Sequence, residues 1–95
     1  MSKSIITNSR SCFVCKTPFD LHKHHIFYGT SNRKLSEKYG CWVYLCGKHH
    51  DMSDYGVHND RVLDIQLKQI AQRAWEQEHG TTEDFIKVFG RNYLD

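Results

Sequence analysis

No apolar run in this sequence approaches the roughly 18 residues that a membrane-spanning helix needs. The opening segment MSKSIITNSR also lacks the apolar core and the cleavage pattern of a secretory signal. We therefore expect a cytoplasmic protein with no membrane partner, in a reducing compartment. Internal repeats and low-complexity segments are missing as well, and 95 residues are too few for two separate cores. The length predicts one domain.

Four cysteines are present, and a reducing compartment favours metal ligands or buried thiols over disulfides. Cys12-x2-Cys15 and Cys46-x2-His49 have the spacing of two zinc knuckles. Because Zn²⁺ takes four tetrahedral ligands, we predict a structural zinc site made of these four residues. Cys41 is expected to be a core residue on a strand, or else the fourth ligand in place of His49. In the alternative interpretation Cys41 and Cys46 are buried thiols and the Cys12-x2-Cys15 spacing is incidental.

The charge is distributed unevenly along the chain, although the net charge is only +2. Residues 1–61 contain nine Lys or Arg and five acids, whereas residues 62–95 contain four and six. The half that is rich in histidine is therefore also the basic half. A basic surface suits a polyanion such as nucleic acid, but it is also common on ordinary solvated faces.

The first two thirds predict short elements joined by turns. Residues 1–10 are polar and without periodicity, which indicates a flexible N-terminal arm, and residues 11–95 form the domain. HHIFYG is predicted to be extended, LSEKYG to form a short helix that Gly40 ends, and CWVYLC to form a strand. GKHHDMSDYG is predicted to turn into a short helix that stops at Gly56.

The last third predicts two helices that serve as a scaffold. The first runs from Arg61 to His79 and is stopped by Gly80. Its helically spaced apolar residues are Leu63, Leu67, Ile70, Ala71, Ala74 and Trp75. The second begins after Thr81 or Thr82, has two acids in its first turn and ends at Gly90. Its apolar residues are Phe85, Ile86, Val88 and Phe89, and Tyr93 and Leu94 are expected to pack back.

Six of the seven histidines lie between positions 22 and 58. Adjacent side chains on a strand point to opposite faces, so His24 and His25 can hold separate roles, one facing a cation and the other a substrate water. His50 and His58 would complete the ligand set, since neutral imidazole is a common ligand of transition metals. The alternative is a second structural zinc site or exposed polar residues. His22, at the edge of the group, is predicted to be an ordinary surface residue.

The order CxxC, HHI, and a strand followed by CxxHH resembles the HNH, or ββα-metal, endonucleases. More narrowly, HHIFYGTSNRKLSEKYGCWVYLCGKHH with GVHND and LKQIAQRAWEQEHG is similar to the small recombination-enhancement (RecA-dependent) nucleases of phages. The resemblance covers residues 12–94. It implies a small α+β fold with a ββα-metal core, a structural zinc knuckle and C-terminal helices. It also implies cleavage of DNA with one divalent cation, either Mg²⁺, Mn²⁺ or Zn²⁺.

The resemblance also implies roles for particular histidines. His25 matches the general base, His24 and His50 match ligands of the catalytic cation, and His58 matches a further ligand. The asparagine that orients the base in this family falls at Cys41 here. Asn32 and Asn59 are the candidates to replace it from a loop.

Four basic residues are predicted to contact DNA. Arg33 and Lys34 are expected to contact phosphates, and Lys23 and Lys48 are the next candidates. No base-reading helix is evident, so we expect weak sequence specificity. The implied setting is the cytoplasm of a bacterial cell, with a host recombinase or another phage protein as partner. Two other classes stay open: a zinc-stabilised nucleic-acid-binding module without catalysis, and a protein-interaction adaptor built on the knuckle.

Overall fold

The computed structural model describes residues 3–50 and 60–94, and only the backbone at position 30. The protein is a small α+β domain in which a two-stranded sheet is combined with helices. In chain order, the elements are β1 (Leu21–His25), α1 (Thr30–Tyr39), β2 (Trp42–Cys46), α2 (Gly47–His50), α3 (Arg61–Glu78) and α4 (Thr82–Phe89). No helix in the described ranges is long and apolar enough to cross a membrane.

Strands β1 and β2 pair antiparallel, with Lys23 opposite Tyr44 and His25 opposite Trp42. Residues that face each other across such a pair project on the same side of the sheet. One side therefore carries these four residues. The other side carries His22, His24, Val43 and Leu45, of which the last three are buried.

Helix α1 is longer than the sequence predicted, because it begins at Thr30 and not within LSEKYG. Gly29, with a φ of 97°, lets the chain turn sharply, and its carbonyl accepts the first helical hydrogen bond from Arg33 at 3.0 Å. The side chain of Ser36 fixes the loop before the helix by bonding both the amide and the carbonyl of Phe27. Gly40 ends the helix in the left-handed conformation, as predicted.

The N-terminal arm is docked onto the domain from Lys3 onward. The amide of Ile5 donates to the carbonyl of Gly40 at 2.9 Å, and the hydroxyl of Ser4 donates to the carbonyl of Trp42 at 2.6 Å. A Cβ at position 40 would clash with the carbonyl oxygen of Lys3, so glycine is needed there for close approach as well as for its φ of 77°. The arm therefore forms one wall of the surface beside β2.

The C-terminal helices form the scaffold that the sequence predicted, and both begin with a side-chain cap. Asp60 caps α3, and Thr81 with Asp84 forms a capping box on α4. An aromatic cluster joins them to the β1–α1 loop, and it contains Phe27, Trp75, Phe85, Phe89 and Tyr93. Ile70, one of the helically spaced apolar residues of α3, is exposed. Helix α3 instead buries the polar residues Asp64, Lys68 and Gln72.

Candidate functional site

The first candidate site is a cluster of Cys12, Cys15, Cys46 and His49, whose ligand atoms all lie within 4.8 Å of one another. A tight turn brings the two N-terminal cysteines together, with the amide of Lys16 donating to the carbonyl of Cys12 at 2.9 Å. The amide of Phe13 donates to the carbonyl of Tyr44 at 2.8 Å and so holds this turn against β2. Two segments of the chain, residues 12–15 and 46–49, therefore meet at the cluster.

The spacing within this cluster matches a tetrahedral zinc site. The Sγ atoms of Cys15 and Cys46 are 3.7 Å apart, and His49 Nδ1 lies 3.7 Å from the Sγ of Cys12 and 3.2 Å from that of Cys46. With Zn–S bonds of about 2.3 Å, a tetrahedron has S–S edges of about 3.8 Å and S–N edges of about 3.6 Å. The cluster could therefore hold a structural metal ion such as zinc.

Cys41 lies outside this cluster and is completely buried. Burial, together with the negative charge of Glu78, raises the pKa of the Cys41 thiol to about 12, so it stays protonated. At Cys12 burial also raises the pKa, but hydrogen bonds from the backbone of Cys15, Cys46 and Val14 outweigh it and lower the pKa to about 6. Of the two thiols, Cys12 is the one prepared to bind a cation as thiolate.

The second candidate site is a pocket of about 210 Å³ at the end of the sheet, which we call the histidine pocket. It gathers five of the predicted site residues and one other side chain. Its lining residues are Lys23, His24, His25, Tyr28, Arg33 and His50. Strand β1 supplies the first three, α2 supplies His50, and the first turns of α1 supply Arg33. Three imidazoles and two cations therefore converge on one concave surface.

Three histidines of this region contact one another. The ring centroids of His24 and His50 are 5.4 Å apart, and the Nδ1 atoms of His22 and His50 are 3.1 Å apart. His22, which was predicted to be an ordinary surface residue, is 36% exposed and contacts His50. His58, the predicted further ligand, lies outside the described residues.

His25 is tied to an acid that the sequence analysis did not single out. Its Nε2 lies 2.9 Å from Oε1 of Glu37, and Lys23 Nζ lies 2.8 Å from the same oxygen. Hydrogen bonds from Lys23 and then from His25 lower the pKa of Glu37 to about 2, so the carboxylate is ionised and can only accept. His25 must therefore donate from Nε2, which leaves Nδ1 as the basic nitrogen of the neutral ring.

Of the residues proposed to replace the missing asparagine, Asn32 does not reach His25. Its side-chain amide donates to the carbonyl of Phe89 at 3.2 Å and links α1 to the end of α4. Asn59 lies outside the described residues. The contact that holds the ring of His25 in this structure comes from Glu37 instead.

The four basic residues that were predicted to contact DNA do not lie at one site. Lys23 and Arg33 line the histidine pocket, whereas Lys34 is exposed on α1 and does not line it. Lys48 is exposed beside the Cys12–His49 cluster. The pocket instead includes Tyr28, whose hydroxyl donates to Asp64 of α3 at 3.2 Å. No short-range pattern in the sequence signals this contact, which joins residues 36 positions apart.

Comparison of the chain with protein-family models, with curated proteins and with solved structures gives no match.

The lowered pKa of Glu37 predicts that the free energy of unfolding depends on pH in the acid range. Because its pKa falls from 4.5 to about 2 on folding, its contribution to stability is present above about pH 4.5 and is lost as the pH falls through about 2. The side chain is 37% exposed, so we expect Glu37→Gln to lower the free energy of unfolding at neutral pH by only about 1 kcal/mol. Urea denaturation between pH 7 and pH 2 should show the gap to the wild type closing as the pH falls.

The matched control is Glu78→Gln, the same change on an exposed residue of α3. It should alter the unfolding free energy by less than about 0.5 kcal/mol. A gap between wild type and Glu37→Gln that stays constant down to pH 2 would mean that Glu37 contributes by packing, and not by its charge.

Proposed function

We propose that this chain is a metal-dependent DNA endonuclease or nickase of the HNH type, which hydrolyses phosphodiester bonds with weak sequence specificity. The observation that carries the proposal is the histidine pocket, in which His24, His25 and His50 converge with the cations Lys23 and Arg33. Imidazoles can hold a divalent cation and accept a proton, and Lys and Arg attract phosphate. Hydrolysis of a phosphodiester requires a bound cation, a proton acceptor and phosphate-binding groups at one site.

The order of elements around the pocket supports a ββα-metal core. The antiparallel pair β1–β2 is followed directly by α2, which carries both His49 and His50. In this proposal His49 belongs to a structural Zn²⁺ site, and the next residue faces the histidine pocket. The zinc site would thus fix the start of α2 and, with it, the position of His50.

His25 is the proposed general base. Glu37 acts as a positioning residue, because its carboxylate holds Nε2–H of His25 and leaves Nδ1 to take a proton from the attacking water. The same carboxylate faces the positive charge that the ring then acquires, as the acid of a hydrolase triad does. Glu37 would in this way do what the missing asparagine does in the family.

His24 and His50, with His58 as the predicted further ligand, are the residues that would hold the catalytic cation. When bound, Mg²⁺, Mn²⁺ or Zn²⁺ supplies positive charge to stabilise the phosphate and the leaving 3′-oxygen. Arg33 and Lys23 would orient the phosphate from the rim of the pocket. The proposed setting is a bacterial cell's cytoplasm, with a host recombinase or another phage protein as partner.

One observation favours a second candidate, a zinc-stabilised nucleic-acid-binding module with weak or no catalysis. Cys41 stands at the place of the orienting asparagine and is completely buried, and Asn32 is engaged elsewhere. In that case the basic pocket would bind phosphate without hydrolysing it.

The test is a nicking assay on supercoiled plasmid, with a single-stranded DNA circle in parallel, in buffer containing Mg²⁺, Mn²⁺, Zn²⁺ or no added divalent cation. We expect cleavage that depends on an added cation. Binding of DNA without cleavage under any of these conditions would support the second candidate. A chain that neither cleaves nor binds DNA in low salt, where phosphate contacts are strongest, would contradict both.

A further inference from the structure

A groove of about 420 Å³ lies beside the side of the sheet that carries Trp42 and Tyr44, and we call it the arm groove. The docked N-terminal arm forms one wall and β2 forms the other. Asn8, Ser9 and Arg10 line it from the arm, and Trp42 and Tyr44 line it from β2. Its volume falls within the range of about 300–1,000 Å³ that is typical of small-molecule sites.

The groove combines aromatic rings with cations. The ring centroids of Trp42 and Tyr44 are 5.3 Å apart and nearly perpendicular. Lys23 Nζ lies 4.2 Å from the centroid of Trp42, and Arg10 Cζ lies 6.0 Å from that of Tyr44. Aromatic faces next to cations are what proteins use to bind single-stranded nucleic acid, because bases stack on the rings and phosphates meet the charges.

Polar side chains of the arm add to this chemistry. The exposed amide of Asn8 and the hydroxyl of Ser9 offer further donors and acceptors on the opposite wall.

The arm groove adjoins the histidine pocket. Lys23 lines that pocket while its ammonium group lies over Trp42, which lines the groove. The strand register puts His25 directly opposite Trp42 and Lys23 directly opposite Tyr44, on the same side of the sheet. A strand whose phosphate sits in the histidine pocket would therefore have a neighbouring nucleotide at the groove.

We propose that the arm groove binds an unpaired base of single-stranded DNA, next to the phosphate held in the histidine pocket. The base would stack on Tyr44, and Arg10 and Lys23 would contact the flanking phosphates. In a duplex the faces of a base are covered by its neighbours, so a concave aromatic site selects an unstacked strand. This inference rests on the proposed function for its placement, because it names the form of DNA that the same site takes.

The test measures binding without cleavage. Fluorescence anisotropy, with no added divalent cation, compares a labelled oligothymidylate with an abasic strand that has the same length and the same phosphates. We expect the wild type to bind oligothymidylate at least about fivefold more tightly, the effect of one stacked base. Tyr44→Ala should remove this preference, and it should weaken binding of the abasic strand little.

Arg10→Ala tests the phosphate contact, since Arg10 is exposed on the arm. It should weaken binding of both strands alike and leave the preference for bases intact. Arg73→Ala, which removes the same charge from the exposed side of α3, should change neither affinity. Equal affinity of the wild type for both strands, or a preference that survives in Tyr44→Ala shown by circular dichroism to be folded, would overturn the proposal.

The outcome is independent of the nuclease activity. A chain that cleaves DNA but shows no base preference would contradict the arm groove and leave the proposed function intact. A chain with a Tyr44-dependent preference but no cleavage would support the groove and indicate the binding module instead.

Discussion

Replacing Cys46 with alanine is expected to remove the metal ion that the Cys12–His49 cluster could hold and to abolish the folded state. The Sγ of Cys46, at the end of β2, lies 3.7 Å from the Sγ of Cys15 and 3.2 Å from Nδ1 of His49, so its loss leaves three ligands and weakens the link between the two segments that meet at the cluster. Structural zinc contributes an apparent free energy of about 10–16 kcal/mol in small zinc domains. The whole stability of a domain is only about 5–15 kcal/mol. Metal content by atomic absorption and thermal unfolding by circular dichroism measure the two effects.

The control for this change is Cys41→Ala, the same substitution at a completely buried thiol outside the cluster. It should keep one metal ion per chain and cost about 1–2 kcal/mol of stability, as expected for a small core truncation. A strong chelator added to the wild type should reproduce the unfolding of Cys46→Ala. If Cys46→Ala instead keeps its metal and its melting temperature while Cys41→Ala loses both, the ligand set is wrong.

The Cys12–His49 cluster and the C-terminal scaffold could be predicted from sequence because their signals are local. A two-residue spacing between ligands is a property of one turn of chain, so Cys12-x2-Cys15 and Cys46-x2-His49 can be recognised without a fold. The caps of α3 and α4 are equally local, since each joins residues three positions apart. Such patterns depend on neither topology nor packing.

The contacts that complete the histidine pocket could not be predicted, because each joins distant parts of the chain. Glu37 reaches His25 only once α1 folds over the sheet, and nothing in LSEKYG distinguishes this acid from a solvated one. Tyr28 is similar, since its partner Asp64 lies on α3 and is itself paired with Lys68 at 2.8 Å. That pair is largely buried, so the spacing of apolar residues does not reveal that this face of the helix is buried.

The buried polar residues of α3 are a second feature that the spacing of apolar residues does not reveal. Gln72 is completely buried, and it exchanges hydrogen bonds with Asn92 and with the amide of Tyr93, both at 2.8 Å. The C-terminal segment thus packs against a face of α3 that apolar side chains would otherwise cover. Ile70 lies off this contact and stays exposed. Satisfied hydrogen bonds make a glutamine acceptable at a core position, and apolar patterning cannot detect them.

Removing the proposed general base should have a large effect on the rate of cleavage. His25→Ala is expected to slow plasmid nicking by about 10²–10⁴-fold with every activating cation, the contribution of a general base. The ring's polar contact is with Glu37, and that acid keeps its ion pair with Lys23, so we expect the variant to stay folded with its metal content unchanged. Rates of nicking in Mg²⁺, Mn²⁺ and Zn²⁺ check the first expectation, and circular dichroism with metal analysis checks the second.

His79→Ala is the matched control, because His79 is exposed at the end of α3, away from the histidine pocket. It should cleave at the wild-type rate. Imidazole added to the His25→Ala reaction should restore part of the cleavage, since a free base can enter the space that the ring leaves, whereas it should not affect His79→Ala. Nicking by folded His25→Ala at the wild-type rate would show that the proton goes elsewhere, or that the cleavage comes from a contaminant. A rate that is lost in His25→Ala and rescued by imidazole would assign the base, because neither altered folding nor weaker DNA binding responds to an added proton acceptor.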